Sequence, residues 1–231
     1  MQRCPEPELM TASEQVIAYS DADFNSGDQS FIQRLQELIH QSGSDLLSES
    51  LILDLGCGPG NISERLAVCW PACQVIGLDG SPEMIKMANK RRVALSLPTQ
   101  NLSYQLVDLS CFHMDDFDFL KGASIILSNS FLHHLHNPQT LWNVVKTFAG
   151  SNALIFHRDL RRPCTEGEVD LLCDRYTSEA PPVLRRDFQA SLLAAFTADE
   201  VSDQLDEACL GCLSVSEIGD RYLEICGRWG C

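Results

Sequence analysis

The chain has 231 residues, and 17 Lys and Arg against 32 Asp and Glu give it a formal net charge of −15. That charge disfavours binding to a nucleic-acid backbone, which attracts clustered basic residues. No apolar run reaches the length of a membrane span, and the first residues lack the pattern of a secretory signal. We therefore expect a cytoplasmic protein with one domain over 1–231, made of a helical prelude at 1–49 and an α/β core at 50–231.

The first fifty residues predict helices ahead of the core. Thr11 and Glu14 have the spacing of a capping box, which favours a helix start. An apolar stripe typical of an amphipathic helix follows at Phe31, Leu35, Leu38 and Ile39.

A strand, a glycine turn and a helix follow in immediate succession. The apolar run 51–55 predicts a buried strand, and Gly56, Gly58 and Gly60 come directly after it. This is the first unit of a nucleotide-type α/β fold. The third glycine stands one residue too early for a dinucleotide fingerprint, and the Gly-Lys-Ser/Thr of a P-loop is missing.

A second strand over 75–78 ends at Asp79, and Ser81 and Pro82 then favour a new helix start. A carboxylate at the end of a parallel strand can accept hydrogen bonds from both hydroxyls of a ribose. A third strand over 102–107 ends at Asp108, again an acid at a strand terminus. A fourth apolar run begins at Ile125.

The remaining chain continues the alternation of helices and strands. Asn137 and Pro138 predict a helix start, and a fifth strand is expected over 153–157. Helix starts are also predicted at Thr165 and Thr197, each with Glu three residues later, and another helix over 188–196. Two alternating segments, 213–217 and 222–226, flank Gly219 and Asp220, which predicts a closing hairpin.

Cys209 and Cys212 form a C-x-x-C pair, but no second pair completes a zinc site. We interpret them as small residues around a helix end, with Gly211 as the stop. No metal is expected.

The segments Asp54-x-Gly56-x-Gly58-x-Gly60, 78–85 and 125–134 together resemble motifs of the class I S-adenosylmethionine-dependent methyltransferases. The resemblance covers about residues 50 to 160. It implies a Rossmann-like three-layer α/β sandwich, with a mostly parallel seven-stranded sheet, an antiparallel C-terminal hairpin strand and an N-terminal helical lid. It also implies S-adenosyl-L-methionine as the cofactor, held by Asp54, Gly56, Cys57, Gly58, Gly60, Asp79, Gly80, Met84, Asp108, Leu109 and Asn129. In such a lid Tyr19 either approaches the sulfonium or simply packs the lid against the body.

Methyl transfer from a sulfonium needs alignment of the acceptor more than a strong base. His133 and His134 fall where the family's acceptor pocket begins, so either is a candidate general base, against packing at the sheet edge. Asp159 is the other candidate, against pairing with nearby arginines.

The acceptor is expected to be a small molecule, and an anionic group on it could be received by arginines. The candidates are Arg161, Arg162, Arg185 and Arg186, which could equally form surface ion pairs. Two other functions stay open: a catalytically silent S-adenosylmethionine-binding subunit and a nicotinamide-dependent oxidoreductase. Oligomeric state is left open.

Overall fold

The computed structural model describes residues 1–9, 13–41, 49–94, 100–109 and 114–230. Strands and helices alternate through its core. The strands are β1 (Leu51–Leu55), β2 (Gln74–Asp79), β3 (Leu102–Leu106), β4 (Ala123–Asn129), β5 (Ala149–Leu160), β6 (Leu213–Ile218) and β7 (Tyr222–Arg228). The α-helices are α1 (Ser13–Asp21), α2 (Asn25–Gln41), α3 (Asn61–Cys69), α4 (Pro82–Ala94), α5 (Gln139–Phe148), α6 (Glu166–Thr177), α7 (Pro182–Ala194) and α8 (Ala198–Glu207). Two 3₁₀ segments lie at Met114–Leu120 and Leu132–His134.

The seven strands form one sheet in the order β3-β2-β1-β4-β5-β7-β6. Neighbours from β3 to β5 pair in parallel, whereas β7 is antiparallel to both β5 and β6. This confirms the expected mostly parallel sheet with an antiparallel C-terminal hairpin. The chain order reverses between β1 and β4, which creates a crevice at the carboxyl ends of those strands.

Each face of the sheet is covered by its own apolar layer. All five residues of β1 are buried, as expected for a central parallel strand. On one face α5 buries the fully enclosed Trp142 and Phe148 in the larger cluster. On the other face α2 contributes Phe31 and Leu35, which pack with α3. The result is the predicted three-layer sandwich.

The helix starts at Thr165 and Thr197 are confirmed, and Thr197 with Glu200 forms a complete capping box. The helix predicted over 188–196 is wrong in its bounds, because α7 begins six residues earlier, at Pro182, a favourable first helical residue. Strand β5 is also longer than predicted, since it is paired on both sides.

The prediction that Gly211 stops α8 is wrong. The helix ends at Glu207, and Cys209 is the residue with a positive φ, of 57°. The backbone N–H of Leu210 then donates to the Leu205 carbonyl and closes the helix end. Thr11, part of the other predicted capping box, lies outside the described residues.

The N-terminal segment 1–9 crosses the carboxyl edge of the sheet. The Arg3 guanidinium donates to the carbonyls of Ala194, His133 and Leu135, at 2.6 to 3.0 Å. Its charged group also lies 3.9 Å from the centre of the Phe196 ring. These contacts hold the segment against α7 and the 3₁₀ turn at 132–134. No helix in the described part of the chain is long and apolar enough to cross a membrane.

Candidate active site

A cleft of about 790 Å³ opens at the crevice between β1 and β4. Its walls come from the turns after β1, β2 and β4, together with the N-terminal segment and helices. The predicted cofactor residues that line it are Tyr19, Asp54, Gly56, Cys57, Gly58, Asp79, Gly80, Met84 and Asn129.

The glycine turn after β1 leaves part of the cleft floor without side chains. Gly58 has a φ of +53°, which L side chains rarely adopt, and a Cβ built on it meets no atom within 4 Å. The Gly58 backbone therefore faces open cleft. Gly60 has a different role: it lies outside the lining set, and a Cβ on it would collide with the Tyr104 hydroxyl. It permits close packing of the helix start on β3.

The Asp79 carboxylate accepts hydrogen bonds from the turns that follow β1 and β2. One oxygen accepts from the Gly58 amide at 2.9 Å and the other from the Ser81 amide at 2.8 Å. Burial raises the pKa of Asp79, and these two hydrogen bonds partly oppose that shift. Because a carboxylate has about four acceptor positions, both oxygens can still accept further hydrogen bonds.

Asp54 lies deeper, at 1% exposure, where its carboxylate accepts from the Ser63 hydroxyl of α3 at 2.5 Å. Burial raises the pKa of Asp54 to about 7, with a further contribution from nearby Asp79. The charge of this carboxyl group at the base of the cleft therefore changes in the neutral pH range.

A smaller pocket of about 330 Å³ adjoins the cleft beyond Asp79. Asp108 and the buried Leu109, which follow β3, line it. Leu9 of the N-terminal segment covers the pocket, near Gly80. Asp54, Asp79 and Asp108, the acids at or after the ends of β1, β2 and β3, therefore all line the cleft or the pocket that adjoins it.

The turn after β4 forms the opposite wall. Asn129 ends the strand, and Ser130 has a positive φ of 56° while its amide donates to the Arg158 carbonyl. The Phe131 ring then packs on the Cα of Gly56, where a Cβ would collide with it. The ring borders both the cleft and the smaller pocket.

The Asp159 carboxylate accepts hydrogen bonds mainly from the same turn. It accepts from the amides of Phe131, Leu132 and Leu160 and lies 2.5 Å from Nδ1 of His133. Burial opposes the charge of Asp159, but His133 outweighs it and lowers the Asp159 pKa. Asp159 itself does not line the cleft. Its partner is a histidine rather than an arginine, contrary to the pairing considered from sequence.

The two neighbouring histidines occupy different environments. His133 is 2% exposed, and although burial opposes its charge, the attraction of Asp159 raises its pKa. His134 lines the cleft, and burial, together with the nearby His133, lowers its pKa to about 3. Their Nε2 and Nδ1 atoms lie 3.5 and 3.3 Å from one Glu6 carboxylate oxygen.

Tyr19 and Phe24 approach the cleft from α1 and the turn after it, with ring centroids 4.7 Å apart. Burial raises the pKa of Tyr19, so its hydroxyl keeps its proton.

The four arginines considered for an anionic acceptor bind protein carboxylates instead. Arg161 pairs with Glu217, Arg162 with Glu200, Arg185 with Asp174 and Arg186 with Asp187. None of them is among the described residues that line the cleft.

Sequence reasoning missed Glu6, Glu8, Leu9 and Asp28 as cleft-region residues. Glu6 and His133 are 127 positions apart in the chain, and a contact over that separation leaves no local sequence pattern that could predict it.

Comparison with known proteins finds similarity to methyltransferases. Residues 52–149 match the family model described as "Methyltransferase domain". The malonyl-[acyl-carrier protein] O-methyltransferase of Bacillus cytotoxicus is 31% identical over 106 residues, covering 46% of this chain and 34% of that protein. The trans-aconitate 2-methyltransferase of Methylobacterium radiotolerans is 35% identical over 91 residues, covering 39% and 30%. The chain thus aligns with about a third of the length of these relatives.

Solved structures agree at the level of the fold. The plantazolicin methyltransferase BpumL, in complex with a desmethylPZN analog and SAH, superposes with a TM-score of 0.65 at 15% identity, covering 93% of this chain and 95% of that one. A SAM-dependent methyltransferase from Aquifex aeolicus gives a TM-score of 0.56 at 18% identity, with 83% and 88% covered.

Proposed function

We propose that this protein transfers a methyl group from S-adenosylmethionine to a small molecule, as a member of the class I S-adenosylmethionine-dependent methyltransferases. The match of residues 52–149 to the family model described as "Methyltransferase domain" supports this proposal. The observation that supports this best is the shared concavity of the strand-terminal acids beside the bare Gly58 backbone.

The residues present fit the cofactor. The open space over Gly58 suits a ligand that approaches the backbone closely, and the free acceptor capacity of Asp79 suits a ribose diol. The smaller pocket, apolar at Leu109 with Asp108 at its edge, suits an adenine ring. Asp54 lies at the base of the cleft with its pKa raised to about 7, and a ligand that carries cationic groups would favour its charged form.

When bound, S-adenosylmethionine would supply an electrophilic methyl group on a sulfonium. The chain's own residues then have to orient the two reactants and exclude water. Phe131 and the N-terminal segment border the cleft and reduce its access to solvent. Asn129, at the end of β4, is proposed to contact the aminoacyl end of the cofactor through its carbonyl.

His134 is the side chain best placed to act as a general base. It lines the cleft, and its lowered pKa, about 3, keeps the imidazole neutral at physiological pH. Such a low pKa also makes it a weak base, which suits an acceptor that needs little activation. We assign His133 and Asp159 to positioning, since Asp159 holds His133 and the backbone of the same turn in place.

The acceptor is proposed to be a small molecule, as the name of the Methylobacterium radiotolerans relative, trans-aconitate 2-methyltransferase, indicates for that protein. No Arg or Lys lines the described part of the cleft, whereas Glu8, Asp28, Asp54 and Asp79 do. An anionic acceptor would therefore need positive charge from another source.

Turnover tests the proposal most simply. The purified protein is incubated with S-adenosylmethionine and a metabolite library, and S-adenosylhomocysteine is measured. We expect stimulation by at least one acceptor, and a lower rate in Asp79→Ala when S-adenosylmethionine is below saturation. Binding without turnover with any acceptor would favour the silent subunit, and binding of a nicotinamide cofactor instead would favour the oxidoreductase.

A further inference from the structure

Three potential ligand atoms converge at the wall of the cleft. The Glu6 carboxylate, Nε2 of His133 and Nδ1 of His134 lie within 4.8 Å of one another. We call these residues the Glu6–His133–His134 cluster. Glu6 is brought there by the N-terminal segment, whereas both histidines belong to the 3₁₀ turn after β4.

The hydrogen bonds around the cluster leave several acceptor atoms facing its centre. The Nδ1 of His133 lies 2.5 Å from Asp159 and donates to that carboxylate, and its Nε2 lies 3.5 Å from Glu6. When Nε2 carries no hydrogen, its lone pair points at Glu6. The ring of His134 donates to the backbone of Pro7, and its buried Nδ1 finds no hydrogen-bond partner among the described residues. Two lone pairs therefore face one carboxylate oxygen.

Converging lone pairs need a proton or a metal ion between them. Protons satisfy the three atoms only if His133 takes a second one and Glu6 takes another, whereas one metal ion satisfies all three. Around a tetrahedral ion with bonds of about 2.0 to 2.1 Å, neighbouring ligand atoms lie about 3.3 Å apart. The distances from the Glu6 oxygen to the two histidine nitrogens, 3.5 and 3.3 Å, match that spacing.

The surroundings of the cluster are those of a metal site. Asp159 orients His133 in the carboxylate–histidine arrangement that commonly supports metal ligands. Ser191 donates to the Glu6 carboxylate at 3.0 Å and fixes the third ligand. Both histidines and Glu6 are largely withdrawn from solvent, with side-chain exposures of 2, 14 and 11%.

We propose that the Glu6–His133–His134 cluster binds a divalent transition-metal ion of the Zn²⁺ or Co²⁺ type, with two nitrogen ligands and one oxygen ligand. Three protein ligands leave at least one coordination position open, as in catalytic rather than structural sites. Since His134 lines the cleft, the ion adds positive charge to an otherwise acidic cavity. It also ties the N-terminal segment to the turn that carries the histidines. A metal-bound His134 whose other ring nitrogen is bonded to Pro7 has no nitrogen left to act as a base, so the metal site replaces the general-base role of this side chain.

Direct titration with Co²⁺ tests the proposal without any assay of activity. It is done in a Cys209→Ser/Cys212→Ser background, because those two exposed cysteines could bind metal themselves. We expect one ion per chain. The visible absorption spectrum of the bound Co²⁺ should be typical of nitrogen and oxygen ligands and should lack a thiolate charge-transfer band. Glu6→Gln and His134→Gln should each weaken binding at least about tenfold.

His40→Gln is the control, since His40 is exposed in the last turn of α2 and is not part of the cluster. Its Co²⁺ affinity should equal that of the background protein. Thermal melts without metal show whether each variant is folded. Absence of stoichiometric binding, thiolate-type spectra, or binding that survives both ligand substitutions would overturn the proposal.

Discussion

Asp79 is the residue on which the cofactor assignment depends most. Its carboxylate organises the glycine turn through Gly58 and the next helix start through Ser81, and it keeps acceptor capacity toward the cleft. The polar atoms of the site are thus fixed before a ligand arrives, which lowers the cost of binding.

Replacing Asp79 by Ala should weaken binding of S-adenosylhomocysteine by about 1 to 3 kcal/mol, because charged hydrogen bonds are lost. Isothermal titration calorimetry measures the change. Asp203→Ala, at an exposed position of α8, is the matched control and should bind as the wild type does. Equal affinity in Asp79→Ala and the control would show that the ribose assignment is wrong.

Asp54 predicts a pH dependence of stability. Burial raises its pKa from 3.8 to about 7, so the folded protein holds a proton that the unfolded chain has already released. Its contribution to stability is therefore fully present below about pH 4 and is lost as the pH rises to 7.

The neutral Asp54→Asn variant should escape this loss. Relative to the wild type, its free energy of unfolding should rise by about 2 to 3 kcal/mol between pH 5 and pH 8. Urea unfolding at several pH values measures the difference, and Asp203→Asn should show no such trend. A constant difference across this range would contradict the assignment of the shifted pKa.

At the level of single residues, the sequence predicts which acids end strands but not what each one contacts. Asp54, Asp79 and Asp108 follow from the alternation of strand and turn, and all three reach the concavity. Asp159 also lies near the end of a strand, but its contacts depend on the 3₁₀ turn 26 positions earlier. Its hydrogen bond with His133 therefore could not be predicted from the sequence.

Among the elements, the short local signals proved the most reliable. The capping box of Thr197 and Glu200 starts α8 as predicted, because both hydrogen bonds connect residues three apart. Bounds set by tertiary packing were missed: β5 extends to Leu160 through pairing with β7, and α8 ends in a left-handed Cys209 rather than at Gly211.

Thr197→Ala should destabilise the protein by about 1 kcal/mol, because an N-cap hydrogen bond is lost. Ser202→Ala, on the exposed face of the same helix, is the control and should change stability by less than about 0.5 kcal/mol. Chemical denaturation compares the two. A Thr197→Ala protein as stable as the control would show that the cap contributes nothing to this helix.

Across the whole molecule, the sheet positions the site and the N-terminal segment closes it. Glu8 and Leu9 border the cleft and the smaller pocket, and Glu8 accepts from the amide of His136 at 2.7 Å. The sequence predicted helices ahead of the core but not this extended crossing. Its contacts are long-range and leave no periodic signal.

Loss of the Arg3 contacts should loosen that segment. In Arg3→Ala, hydrogen exchange at the amides of Cys4 and His136 should accelerate several-fold, since both amides bond across the segment's interface. Exchange in the central strands should be unchanged. Arg186→Ala, which removes an exposed ion pair, serves as the control. Unaltered exchange at both amides would mean that Arg3 does not hold the segment in place.

Calorimetric titration of the wild-type protein with S-adenosylhomocysteine, and separately with NAD and NADP, tests the central claim most directly. The geometry of the cleft predicts one S-adenosylhomocysteine site per chain and no binding of either nicotinamide cofactor. Absence of S-adenosylhomocysteine binding, or saturable binding of a nicotinamide cofactor in its place, would contradict the account.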